Sequence, residues 1–301
     1  MNERDTGTGL ATLRDPGLAG MLRGIARILA GKPRLPRRLR DRPLLTTILS
    51  RRSRRSFRDT PVPDEVMEAV LEAGRLAPST VNLQTWSFAA FDRETWRETL
   101  GQPLPLGGQR AIVVMADTHR VRSVLDVFPD APLVEYTLGV VNASLAAMNM
   151  TLAAEALGLG TVMLSETGRG GFLDTDHLAA RLGLPERVVP LLTIVLGYPR
   201  GPRPAMPPKL PPETVTFAGR YREADPGVMR SWLEQMQAGY KVSNRGRSFG
   251  SQVAVYLGKI DRAERELRRR VLGEDGGPPA AREQDDAGGR ADRDPRDTTH
   301  R

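Results

Sequence analysis

Two short stretches concentrate side chains able to bind a charged, planar ligand. The first, Arg51-Arg52-Ser53-Arg54-Arg55-Ser56-Phe57, sets four guanidinium groups and two hydroxyls within seven residues. Arginine suits phosphate because its planar fork donates two parallel charge-assisted hydrogen bonds, and Ser53 adds a neutral donor. If the segment is helical, Arg51 and Arg55 share a face with Arg52 beside them, Arg54 faces outward, and Phe57 anchors the segment in the core. A solvated face or a generic polyanion contact would use the same residue types. The second stretch is Ala77-Pro78-Ser79-Thr80-Val81-Asn82-Leu83-Gln84-Thr85-Trp86. The amides of Asn82 and Gln84 donate and accept in one plane, which matches the edge of a heteroaromatic ring carrying carbonyls and N–H groups. An Asx turn for Asn82, solvation for Gln84 and a core position for Trp86 are the alternatives. Taken together, the two stretches suit a flat phosphorylated cofactor.

Other chemistries lack their residues. The chain has no cysteine, which removes disulfides, thiol catalysis and thiolate metal sites. Its three histidines, His119, His177 and His300, form no HExxH or His/Asp pattern, so neither a metal centre nor a Ser/His hydrolase is expected. No GxxxxGK[ST] sequence occurs, and Gly168-Arg169-Gly170-Gly171 lacks the GxGxxG spacing of a dinucleotide site. Phosphate must therefore be held by side chains, which points to a mononucleotide. A formal net charge of +8 favours anionic partners through long-range attraction and says nothing of fold.

The surrounding pattern supplies elements to position these stretches. A helix over 44–50 delivers the arginines. A second runs from Pro63-Asp64-Glu65 to Arg75, with Val66, Val70, Ala73 and Ala77 as its apolar face, and Pro78 ends it. Strands are expected at 86–91, 111–116, 161–165 and 188–196; AIVVMA is apolar on both faces, as an interior strand should be. The helix over 133–157 is apolar or small around nearly its whole circumference and must be covered on all sides, by the domain or by another subunit. Shorter helices are expected at 95–100 and up to Leu182, the latter capped by Asp174 or Asp176, and peripheral ones at 227–240 and 261–272. Four strands interleaved with helices indicate an α+β or α/β layered domain. Residues 16–30 form an amphipathic helix followed by the basic run KPRLPRRLRDRP, suited to packing on the domain or a partner subunit, to an anionic membrane surface through 16–40, or to nucleic acid. Beyond Leu272 large apolar side chains almost vanish, and a disordered tail is expected. The N-terminus shows no signal-peptide pattern, so a cytoplasmic location is expected.

In this order, RRSRRSF, APSTVNLQTW, the apolar strand and central helix, SETGRGGF, and VLGYP followed by Lys209-Leu210-Pro211 resemble the flavin-dependent nitroreductase family over residues 44–221. The resemblance implies an α+β fold, a mostly antiparallel central sheet flanked by helices, in an intertwined homodimer with FMN sites at the interface. It divides the chain into an N-terminal extension (1–43), the FMN-binding domain (44–221), a C-terminal helical extension (222–272) and a tail (273–301). By the same resemblance Arg51, Arg52, Ser53 and Arg55 contact the phosphate, ribityl chain and ring edge. Pro78, Ser79, Thr80, Asn82 and Gln84 reach the flavin of the other subunit; Glu166, Thr167 and Gly168 bring backbone groups near N5; Lys209 returns to the phosphate. Thr85 stands where the family pattern has proline, which is expected to loosen the turn modestly. Pro207 stands where many relatives carry a second basic residue, shifting phosphate neutralisation towards Arg52 and Arg55.

The implied reaction is ping-pong hydride transfer from NADPH or NADH through FMN to a small flat acceptor such as a nitroaromatic or quinone, with no catalytic protein residue beyond those placing the flavin. A flavin dehydrogenase or oxidase acting on a biosynthetic intermediate is the second reading. A basic nucleic-acid or membrane-surface module is the third, although no recognition helix or zinc-finger spacing supports specific nucleic-acid binding.

Overall fold

The computed structural model of the chain describes residues 17–30, 36–165, 175–243 and 248–273. Its helices are α1 (Gly17–Ala30), α2 (Pro43–Ser50), α3 (Asp64–Arg75), α4 (Arg93–Leu100), α5 (His119–Arg122), α6 (Pro132–Ala156), α7 (Thr175–Leu182), α8 (Pro212–Val215), α9 (Pro226–Ser243) and α10 (Phe249–Leu272). The strands are β1 (Trp86–Asp92), β2 (Arg110–Asp117), β3 (Gly160–Ser165) and β4 (Val188–Gly197), in the order β1-β2-β4-β3. All three strand pairs are antiparallel, which settles the layered domain as α+β.

The two interior strands are those with continuous apolar runs, because both their faces are covered. Ile112 and Val114 of β2, with Ile194 and Leu196 of β4, meet Met67 and Val70 of α3 and Ala143, Ala146, Ala147 and Met150 of α6. The alternate residues, Ala111, Val113 and Val195, pack on the other face against Trp96 and Leu100 of α4 and Leu178 of α7. Proline cannot donate to a ladder, and Pro190 in β4 is accommodated where the register shifts between Val114 and Met115, opposite Met115.

Some boundaries and faces differ from the sequence reading. The buried face of α3 is Met67, Val70 and Gly74, rotated from the face built on Val66 and Ala73. Gly74 is there for closeness: a Cβ at that position would lie 2.6 Å from Met150. Asp92 caps α4 two residues earlier than expected, accepting from the amide of Thr95 at 2.8 Å. The last helix begins at Phe249, because the Ser248 hydroxyl accepts from the amide of Ser251 at 3.0 Å and starts it there. Asp176 lies in the first turn of α7 and pairs with Arg269 at 2.5 Å, while Asp174 and the tail after 273 lie outside the described residues.

Helix α6 is long and apolar enough to cross a bilayer, yet it packs along the sheet and α3 as a core helix. Its uncovered side carries Val134, Val141, Leu145 and Met148, spaced to form one stripe, with Leu133 beside it. Helix α1 lies on α9 through its glycines, a Cβ at Gly24 falling 2.6 Å from that of Ala238.

Candidate functional site

The arginine segment is extended, not helical. Arg51 ends α2, its amide donating to Thr47 O at 2.9 Å. The chain then lies along the start of β3: Ser53 pairs with Thr161 in a parallel bridge, and the Arg54 amide donates to Thr161 O at 2.7 Å. It next pairs with the segment leaving β4, through Arg58 N to Tyr198 O (2.8 Å), Arg200 N to Ser56 O (3.0 Å) and a bridge between Phe57 and Pro199. Phe57, 5% exposed, is the core anchor expected of it. An extended backbone points successive side chains in opposite directions, so Arg51 and Arg55 do not share a helical face with Arg52.

Arg54 does not face outward as expected. It is half-buried, its aliphatic stem lies over Gly160, and its guanidinium donates to Pro202 O at 2.6 Å. Arg52 is the member with an unmet donor. One terminal nitrogen donates to Leu49 O (2.8 Å) and Arg51 O (2.7 Å), but its Nε is buried without a hydrogen-bond partner. Burial, Arg203 and Arg51, in that order, push its pKa below the usual arginine value. Among the described residues no carboxylate is paired with Arg51, Arg52 or Arg203. Arg203 was not read from the sequence as part of the site. Its only signal was a basic residue soon after VLGYP.

The second stretch is a strained turn. Val81, Asn82 and Gln84 have φ of 49°, 57° and 49°, a left-handed region that costs non-glycine residues roughly 1–2 kcal/mol each. Ser79 closes the turn, its hydroxyl accepting from Gln84 N at 3.0 Å and its carbonyl from Asn82 N at 3.1 Å. Pro78, Thr80, Asn82 and Gln84 are exposed, and Trp86 is core.

One residue of α6 holds this turn. Asn142, 1% exposed, accepts from Thr80 N at 3.2 Å through Oδ1 and donates to Thr85 Oγ1 at 2.8 Å through Nδ2. Thr85 is fully buried, so in place of a proline it supplies a polar tie rather than a loosened turn. The signal in the sequence was one of several polar residues, Asn149 and Thr151 among them, that interrupt the apolar pattern of this helix.

Within one chain the two stretches are far apart. Thr80 is tied to Asn142, whereas Thr161, the neighbour of Ser53, is held through its amide (3.2 Å) and hydroxyl (2.9 Å) by Glu155 of the same helix. From position 142 to position 155 an α-helix rises about 20 Å. The sheet gives a similar answer, because the turn enters β1 at one edge and Ser53 lies outside β3 at the other, four strand spacings or roughly 19 Å away. Within one chain the two stretches therefore lie towards opposite ends of α6 and at opposite edges of the sheet.

Glu166, Thr167 and Gly168 lie outside the described residues. Lys209 is exposed, next to Pro208, which packs near Gly239 of α9. The buried carboxylate of Glu135 accepts from Thr118 Oγ1, Arg187 (2.6 Å) and Arg122 (3.4 Å), a structural knot at the start of α6.

Residues 48–198 match the model of the nitroreductase family. The chain is 33% identical to an oxygen-insensitive NADPH nitroreductase of Salmonella typhimurium over 210 residues, 66% of this chain and 82% of that protein. It is 33% identical to an NADPH-flavin oxidoreductase of Vibrio harveyi over 218 residues, 69% of this chain and 88% of the relative. Among solved structures, an NADPH:FMN oxidoreductase from Vibrio harveyi complexed with NAD+ aligns with a TM-score of 0.57 at 27% identity, covering 72% of this chain and 97% of that one.

Proposed function

The chain belongs to the nitroreductase family, and from that premise we propose that it is an FMN-dependent NAD(P)H oxidoreductase working as a homodimer. The observation that carries the cofactor is Arg52: a guanidinium with a buried, unpartnered Nε, crowded by Arg51 and Arg203 and lacking a carboxylate. Like charges gathered without a counter-ion are costly, and a phosphate dianion offsets that cost while accepting the orphaned N–H.

When bound, FMN would supply two-electron hydride chemistry between NADPH or NADH and a flat acceptor such as a nitroaromatic or quinone, in ping-pong order. The chain's own part is to bind and orient. Arg51, Arg52, Ser53 and Arg55 hold the phosphate and ribityl end from one subunit, with Lys209 completing that side. Pro78, Ser79, Thr80, Asn82 and Gln84 present the amide edge from the other subunit, a reading supported by the position of the two stretches towards opposite ends of α6 within one chain. The exposed stripe of α6, with Leu44 and Ile48 of α2, supplies apolar surface for the subunit contact. No titratable side chain is needed at the reacting atoms. We place the enzyme in the cytoplasm, where NAD(P)H is available.

The test is the absorbance spectrum of the purified protein before and after anaerobic addition of NADPH or NADH. A flavin spectrum near one per chain that bleaches with either donor supports the proposal. A colourless protein that also fails to bind added FMN overturns it, and a bound flavin that neither donor bleaches turns the reading to a dehydrogenase or oxidase.

A further inference from the structure

Three arginines on the paired segments 51–58 and 198–203, Arg54, Arg200 and Arg203, have different surroundings. Arg200 acts on Asp59, a carboxylate that also pairs with Arg93 at 2.5 Å, so its charge has an acid nearby. Arg54 is committed to the carbonyl of Pro202. Arg203, immediately after, has no carboxylate partner among the described residues and is the strongest cationic influence on Arg52, ahead of its sequence neighbour Arg51.

The placement of Arg203 is built rather than incidental. Four contacts zip the two segments together: Arg58 N to Tyr198 O, the Phe57–Pro199 bridge, Arg200 N to Ser56 O, and the Arg54 guanidinium to Pro202 O. Gly201, at φ 74°, makes the bend that lets the chain pass over Arg54. Gly160 leaves room beneath, since a Cβ there would lie 2.6 Å from the Arg54 stem and 3.2 Å from Pro199. The zipper therefore sets Arg203 one residue beyond the Pro202 carbonyl that Arg54 holds, with its side chain exposed. By contrast, Pro208, beside Lys209, packs near Gly239 of the C-terminal helices.

We propose that Arg203 is a direct phosphate ligand of the cofactor site, supplying with Arg52 the second cation that Pro207 cannot, and that Arg54 is the positioning residue that delivers it. The assignment rests on the flavin reading above. It explains why Arg54, in the middle of a phosphate-seeking run, spends its guanidinium on a backbone carbonyl. It also accounts for the unsatisfied Nε of Arg52, which faces a neighbourhood of positive charge with nothing to accept from it.

The experiment is titration of flavin-stripped protein with FMN and, separately, with riboflavin, which has the same ring and ribityl chain but no phosphate. Arg203→Ala is expected to weaken FMN about tenfold, the size of one lost charge-assisted hydrogen bond, while riboflavin binding stays within about twofold. Arg203→Lys should recover most of the FMN affinity, and Lys209→Ala should cost less than Arg203→Ala. Arg54→Ala should also weaken FMN more than riboflavin. Equal losses for both flavins in Arg203→Ala, or no loss of FMN, would overturn the assignment. A wild-type protein that binds neither flavin removes the flavin reading itself and this assignment with it.

Discussion

The arginine segment and the 79–84 turn are held in opposite ways. The first is regular backbone under electrostatic tension: an extended strip bridged to Thr161 and Pro199, anchored by Phe57, with Arg51, Arg52 and Arg203 crowding without an acid. The second is electrically neutral and conformationally strained, with three left-handed non-glycine residues restrained by one buried asparagine. Strain of either kind persists only where the surrounding structure over-determines it, and it gathers where a ligand repays it. Here a phosphate would relieve the first, and a ring edge would use the amides displayed by the second.

Substitutions can separate the two. Phe57→Ala should have the largest effect, a stability loss of about 3–5 kcal/mol by denaturant unfolding, with the arginine strip released and FMN binding lost. If stability falls but FMN affinity survives, the strip is not what positions the phosphate site. Asn142→Leu comes next, since it leaves the Thr80 amide and the Thr85 hydroxyl without a partner at about 1–3 kcal/mol for each group. Asn142→Asp should retain most of the stability because the Thr85 hydroxyl can turn to donate; equal damage from both variants would mean that packing, not the two hydrogen bonds, is what counts. Val81→Gly should stabilise by up to about 1 kcal/mol, as relieved left-handed strain exceeds the added freedom of the unfolded chain. A destabilised Val81→Gly protein would show that the turn is not strained.

Asp92 serves as a control outside both regions. Its carboxyl is held below the usual aspartate range, chiefly by the Thr95 amide and then by the Thr95 hydroxyl. A pKa lower in the folded state means the contribution is present above the unfolded value of about 4 and disappears as pH falls through the folded value. Asp92→Ala should cost about 1 kcal/mol near neutral pH, the gap to wild type should narrow in acid, and FMN affinity should not change.

The fold was legible where one periodicity dominated. AIVVMA and the long apolar helix could only be an interior strand and a core or interface element. The start of α10 was missed although Phe249, Val253, Leu257 and Ile260 recur at helical spacing; the Ser248 cap marks where the helix begins. The site was legible in residue type but not in conformation. Four arginines in five positions fit a helix as well as a strand, and pairing of Ser53 with Thr161 and of Phe57 with Pro199, both distant in sequence, decides for the strand. Asn142 and Arg203 were missed because each acts through a partner distant in sequence: a buried tie to Thr80 and Thr85 for one, a backbone zipper for the other.

The central claim is that each site takes its arginine strip from one chain and its 79–84 turn from another, and subunit mixing tests it most directly. Chains carrying Arg52→Ala are unfolded, mixed in equal amount with chains carrying Asn82→Ala, and refolded at an FMN concentration where neither variant alone binds. With sites shared across a two-fold dimer, half the dimers are mixed and each has one intact site, so binding should return to about a quarter of the wild-type level. No return of binding in a mixture shown to contain mixed dimers would contradict the account, because every site would then be built from a single chain.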